Sequence, residues 1–97
     1  MTLEDTYKKI LIDIIDKRIS GCKIWLFGSR ARKTHKSGAD IDIALDADRI
    51  LTAQEIFDIQ EAIEISPLPV FVDIVDIHNV SEDFLNQIAK DWVIWKQ

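Results

Sequence analysis

The stretch Asp40-Ile41-Asp42-Ile43-Ala44-Leu45 constrains the fold most, because its alternation is strict: Ile41, Ile43 and Leu45 fall on one side, Asp40, Asp42 and Ala44 on the other. A period of two is a strand with one apolar and one polar face. The chain on either side has a different period. Upstream, Leu3, Tyr7, Ile10, Leu11, Ile14, Ile15 and Ile19 recur every three or four residues, predicting a helix over 3–19 that Gly21 ends. Downstream, Thr52 and Glu55 have the spacing of a capping box, and Ile56, Ile59 and Ile63 with Ala53 and Phe57 predict the buried stripe of a second helix. Pro67 and Pro69 stop that helix.

The remaining segments fit between these. Lys23–Phe27 is aromatic and branched, lies between glycines, and reads as a short buried strand. Val70 to Ile77 is β-branched throughout except at Phe71, Asp73 and Asp76, and predicts a third strand. Ser81 is placed to cap a last helix carrying Phe84, Leu85, Ile88 and Ala89, followed by a short edge strand over Trp92–Trp95. With no repeat, linker or low-complexity tract, the chain reads as a single α/β (α+β) domain over 1–97. A small mixed sheet of three or four strands is flanked by about three helices.

Charge and composition narrow the function. The 97 residues carry a net charge of −5, which opposes long-range attraction to a nucleic-acid backbone, so nucleic acid is not the expected direct partner. Against that background Arg30, Arg32, Lys33, His35 and Lys36 form a local basic run without an acid among them. The longest apolar runs are far shorter than the roughly 18 residues of a membrane span, and the first nine residues are polar and charged, so neither a membrane nor a secretion signal is expected. The single cysteine, Cys22, has no second thiol to pair with, and a reducing cytoplasm is the default. A domain this small buries only about 60% of its unfolded surface, which makes assembly with another chain a reasonable expectation.

The chemistry is concentrated in Gly28-Ser29, ten intervening residues, and Asp40-Ile41-Asp42. Gly28 lets the chain leave a strand in a tight turn with no Cβ in the way of a ligand, and Ser29 offers a hydroxyl and an amide to a phosphate. Arg30 and Arg32 follow within one turn, and guanidinium groups bind phosphate oxygens in pairs of charge-assisted bonds. Asp40 and Asp42 leave the same strand face roughly 6.6 Å apart. At an effective dielectric near 20 two such charges repel by about 2.5 kcal/mol, a cost that a bound cation reverses. Mg²⁺ favours a few carboxylates combined with nucleotide phosphates, which is the donor set this corner offers. A third carboxylate would complete a two-ion site, and Asp73 and Asp76 are both available. Being three residues apart they face opposite ways, and the pattern leaves open which of them joins Asp40 and Asp42.

Gly28-Ser29-Arg30-Ala31-Arg32 followed by Ala39-Asp40-Ile41-Asp42-Ile43-Ala44-Leu45 resembles the signature of the minimal nucleotidyltransferases, the MNT or MntA-like branch of the DNA-polymerase-beta superfamily. The resemblance covers most of the chain. It implies that Gly28 and Ser29 hold the triphosphate of ATP and that Asp40 and Asp42 bind Mg²⁺, with two ions expected. It also implies that the third carboxylate is Asp73, because Val72-Asp73-Ile74-Val75 is similar to the family's third strand. Two departures stand out: Lys33, where many relatives carry glycine, and Ala39, where serine is common. The family further implies a hetero-oligomeric pairing with a helical HEPN-type toxin, neutralised by transfer of AMP to a tyrosine of that toxin. A catalytically silent antitoxin, or a transferase for a small hydroxyl-bearing molecule, is the alternative.

Several residues carry blander expectations. Lys33, His35 and Lys36 read as a solvated loop. His35 and His78 lack a third partner at metal-ligand spacing, so zinc is not expected. Trp25 and Phe27 read as core, Trp92 and Trp95 as surface for a partner, and Asp76 as a surface acid at a strand end.

Overall fold

The computed structural model describes residues 2–97. Its elements run α1 (Leu3–Arg18), β1 (Lys23–Phe27), α2 (Gly28–Arg32), β2 (Ile41–Asp46), α3 (Ala53–Glu64), β3 (Val72–Asp76), a 3-10 turn (Ile77–Asn79), α4 (Glu82–Ala89) and β4 (Val93–Lys96). The expected strands and helices are present, with the short α2 added inside the polar segment after β1. Three helices begin as local chemistry dictates. Thr2 and Thr52 each close a capping box, with Asp5 and Glu55 respectively, and Ser81 accepts the amide of Phe84.

The four strands form one mixed sheet in the order β3-β2-β1-β4. β1 pairs antiparallel with both β2 and β4, whereas β2 and β3 are parallel, joined by the α3 crossover. Helices α1 and α3 pack against each other and cover one face, where Leu11, Ile15, Ile24, Ile41, Ile43, Leu45 and Ile59 are fully buried. A smaller cluster of Phe27, Ala44 and Ile88, flanked by Trp25, Val75, Leu85 and Trp92, lies on the other face.

That second cluster corrects two expectations. The alternation puts Ala44 on the polar face of β2, yet it is fully buried, because Ile88 of α4 closes over that half of the sheet. At the Asp42 end the face remains open, with Asp42 partly buried and Asp73 exposed. Trp92, expected as partner surface, stacks on Trp25 with ring centroids 4.6 Å apart, and Trp95 packs against the main core. On α3, Ile59 and Ile63 are buried as expected and Ile56 packs against the core, but Phe57 is 56% exposed and Ala53 is exposed, and Ala62 completes the stripe. Phe57 lies two residues before Ile59, hence on the far side of the helix.

Candidate functional site

The site forms where β1 gives way to α2, beside the start of β2. Phe27 is the last residue of β1 and pairs with Asp42 across the antiparallel ladder. Gly28 then turns the chain with a φ of +77°, a conformation that side chains disfavour. Ser29 follows, and its carbonyl accepts the amide of Thr34 at 3.0 Å, folding the first part of the loop back onto α2. α2 ends at Lys33, whose φ of +60° is the left-handed cap that glycine usually occupies. The family-pattern glycine that this chain lacks therefore falls at a position where the backbone asks for one.

Register brings the acids together. β2 and β3 are parallel with Asp42 opposite Asp73, so their side chains leave the same face next to each other. The two carboxylates are close enough to share a hydrogen bond. Asp42 titrates near 6, pushed up first by its burial, then by the charge of Asp73 and the bond to it, then by Asp40, with Arg32 opposing. Asp40 lies just before β2 and is exposed. Asp76 faces elsewhere: its oxygens accept the amides of Leu51 at 2.7 Å and His78 at 2.9 Å, tying the end of β3 to the loop before α3. It is a structural acceptor as well as a strand-end acid.

The two arginines divide. The Arg32 side chain is half-exposed, only loosely paired with Asp91 at 3.9 Å, and close enough to Asp42 to lower its pKa. Arg30, expected to bind nucleotide, is instead 7% exposed and engaged within the fold, with Ala39 and Glu4. It lies under the loop rather than at its surface.

Sequence reasoning overlooked two features. The first is an edge-to-face contact between Phe27 and Phe84, ring centroids 6.5 Å apart, which sets an exposed aromatic ring beside the strand end that pairs with Asp42. The second is at the far end of β2, where His78 Nε2 lies 2.6 Å from Asp46 Oδ1 and the two gather with Asp48 within 4.8 Å. His78 therefore has carboxylate neighbours that its sequence spacing did not reveal. The signal was the β2/β3 register, which puts Leu45 opposite Asp76 and brings the residues just beyond level. Four residues of strand, about 13 Å, separate this group from Asp42.

A glycine corner and a serine at the end of β1 thus stand beside the carboxylates of Asp40, Asp42 and Asp73. The family model described as "Polymerase beta, Nucleotidyltransferase" matches residues 9–97. The chain belongs to that family. This nucleotidyltransferase is 32% identical over 85 residues to the probable protein adenylyltransferase MntA of Haemophilus influenzae, spanning 88% of this chain and 75% of that one. Its fold is similar to a crystal structure of a toxin–antitoxin with AMP-PNP, at a TM-score of 0.78 and 26% identity over 91% of this chain and 71% of the other. It is also similar in fold to a chain of the structure of a tri-AMPylated Shewanella oneidensis HEPN toxin in complex with MNT antitoxin (TM-score 0.75, 23% identity, 96% of this chain and 71% of that one). The chain is thus an enzyme of the MNT type within the polymerase-beta superfamily. No helix among the described residues is long and apolar enough to cross a membrane.

Proposed function

We propose that this nucleotidyltransferase moves AMP from ATP onto a hydroxyl of a partner protein, and that the partner is a HEPN-type toxin which the modification neutralises. The observation that carries the reading is the pairing of Asp42 with Asp73, with Asp40 two residues away, at the open end of an otherwise covered sheet face. Support for the acceptor comes from relatives: one is a probable protein adenylyltransferase, and another is an antitoxin in complex with an AMPylated HEPN toxin.

The donor set fits Mg²⁺. Asp42 and Asp73 set two carboxylates side by side, the half-exposed Arg32 offsets them in part, and Asp42 keeps its proton up to about pH 6. Such a cluster of hard oxygens is relieved by a divalent cation. Asp40, Asp42 and Asp73 would hold the metal, two ions in the full reading, whose chemistry would be to neutralise phosphate charge and lower the pKa of an attacking hydroxyl. In this reading Gly28 and Ser29 cradle the triphosphate with an amide and a hydroxyl, and Arg32 steadies its outer phosphates. Asp73 accepts the proton of the acceptor hydroxyl as the oxygen bonds to the α-phosphorus. The bond from that phosphorus to the bridging oxygen breaks, and pyrophosphate leaves with the electron pair. Positioning and charge complementarity supply most of the acceleration in such transfers.

The test is direct. The protein is incubated with Mg²⁺, ATP labelled at the α-phosphate, and the gene product encoded beside it, and separately with small hydroxyl-bearing acceptors. Label on a tyrosine of the neighbouring protein is the expected result. Label only on a small molecule would redirect the reading to the smaller acceptor, and absence of any label would leave a binding antitoxin.

A further inference from the structure

Arg30 is the one buried charged side chain among the described residues, and nothing in the transfer reaction uses it. It stands on α2 directly after Ser29. Its Nε and Nη2 both donate to the carbonyl of Ala39, at 3.1 and 2.8 Å, so the planar fork grips a single oxygen. Its Nη1 donates to Glu4 Oε2 at 3.1 Å, and its guanidinium carbon lies 5.7 Å from the ring centre of Tyr7; both of these residues are on α1.

The gripped carbonyl belongs to the peptide unit that joins Ala39 to Asp40. That unit is planar, so fixing the direction of the carbonyl fixes the plane from which Asp40 departs. Asp40 needs such support, because the strand ladders do not reach it. Pairing with β1 stops at Asp42, and pairing with β3 begins at Ile41. Before Asp40, residues 32–38 are all exposed. Ala39 donates its own amide to Lys36 within the loop, and Ile41 donates to Phe71 beside the sheet, so between them the carbonyl before Asp40 is held by Arg30.

We propose that Arg30 is a positioning residue for Asp40, setting the carboxylate at the metal end of the site, with Glu4 and Tyr7 of α1 as the anchor that holds the guanidinium. This deepens the reading above and rests on Asp40 as a metal ligand. A purely structural role for Arg30, fastening α1 to α2, would lower stability and leave metal affinity alone. A positioning role links the two, as groups that orient metal ligands commonly contribute 10- to 100-fold in affinity or activity.

The experiment uses Arg30→Lys, which keeps the charge and loses the fork, with Arg30→Gln as a second variant should the lysine fail to fold. Mn²⁺ binding in the presence of a non-hydrolysable ATP analogue is followed by electron paramagnetic resonance, and AMP transfer is followed separately. Arg30→Lys is expected to weaken Mn²⁺ binding about tenfold and to lower kcat by a similar factor with the KM for ATP within about twofold. Asp40→Ala is expected to weaken Mn²⁺ binding further, and Arg30→Lys added to it should cost nothing more, since both changes act through one ligand. Glu4→Gln keeps an oxygen to accept from Nη1 and leaves the Ala39 bonds in place, so the anchor survives while the ion pair is lost: Tm should fall and Mn²⁺ affinity stay within about twofold. Unchanged Mn²⁺ affinity in a folded Arg30→Lys, or additive losses in the double variant, would overturn the proposal. Amide hydrogen exchange over residues 34–41 separates this from failure of the enzymatic reading. If the wild type neither binds Mn²⁺ with nucleotide nor transfers AMP, the enzymatic reading falls. Faster exchange in Arg30→Lys still supports the grip on Asp40, and unchanged exchange defeats it.

Discussion

Gly28 and Asp42 stand so close that a side chain on the first would occupy the place of the second: a Cβ on Gly28 would lie 3.1 Å from the carboxyl carbon of Asp42 and 3.3 Å from its Cβ, nearer still to a carboxylate oxygen. The glycine is thus required twice, for its φ of +77° and for the room it leaves Asp42.

Gly28→Ala is therefore expected to displace the Asp42 carboxylate and to strain the turn. It should lower stability by about 1–3 kcal/mol and abolish the increase in Tm produced by Mg²⁺ with ATP. Thermal melts with and without the two ligands check this. A variant that keeps the ligand-induced increase would mean that the carboxylate's position is unimportant to binding.

The elevated pKa of Asp42 makes the metal-free protein sensitive to pH. With a native value near 6 against an ordinary value of 3.8, the folded state holds the proton more tightly than the unfolded state. The stability that Asp42 contributes is present in full below about pH 3.8 and is lost as pH rises through about 6. Asp42→Asn, permanently neutral, should raise the Tm of the metal-free protein at pH 7.5, and the difference should vanish near pH 4. Metal and proton compete for the same oxygens, so Mg²⁺ affinity should fall by up to about tenfold per pH unit below 6. Melts and titration calorimetry across pH 4–8 read both effects.

Asp73 and Asp76 should separate cleanly. Asp73→Asn is expected to abolish AMP transfer with the fold intact. Asp76→Ala removes the acceptor for the amides of Leu51 and His78, so it should cost about 1–3 kcal/mol of stability while the remaining folded enzyme transfers AMP. Parallel denaturation curves and transfer assays distinguish them, and an inactive but fully stable Asp76→Ala would reverse the assignment.

Lys33 holds the left-handed cap of α2 at φ +60°. Lys33→Gly should relieve that strain and stabilise the protein by a few tenths to about 1 kcal/mol, partly offset by the greater freedom of glycine in the unfolded chain. Urea denaturation measures it, and a loss of stability would show that the lysine side chain contributes more than its backbone costs.

Cys22 is buried, which pushes its thiol up to about 11, with the Asp46 charge adding to the rise. It should resist a thiol-labelling reagent at pH 8 and react promptly in denaturant. Rapid labelling of the folded protein would place Cys22 nearer the surface than its packing implies.

Local pattern alone specified most of the scaffold. The alternation in 40–45 marks a strand, the three-to-four spacing in 3–19 marks α1, and Thr52 with Glu55 marks the start of α3, because each is a relation between residues a few positions apart along one element. The Gly28-Ser29 corner and the Asp40, Asp42 pair are legible for the same reason. What local pattern could not supply depends on pairing between distant segments. The parallel register of β2 and β3 alone decides that Asp73, not Asp76, lies beside Asp42, and that His78 meets Asp46. Packing of α4 buries Ala44, and the stack on Trp25 takes Trp92 out of the exposed surface. Arg30 looks in sequence like its neighbour Arg32, and only the approach of α1 and the Ala39 carbonyl turns one inward while the other stays in solvent. Periodicity is written within an element, whereas the partner of a buried charge is chosen by the segments that fold against it.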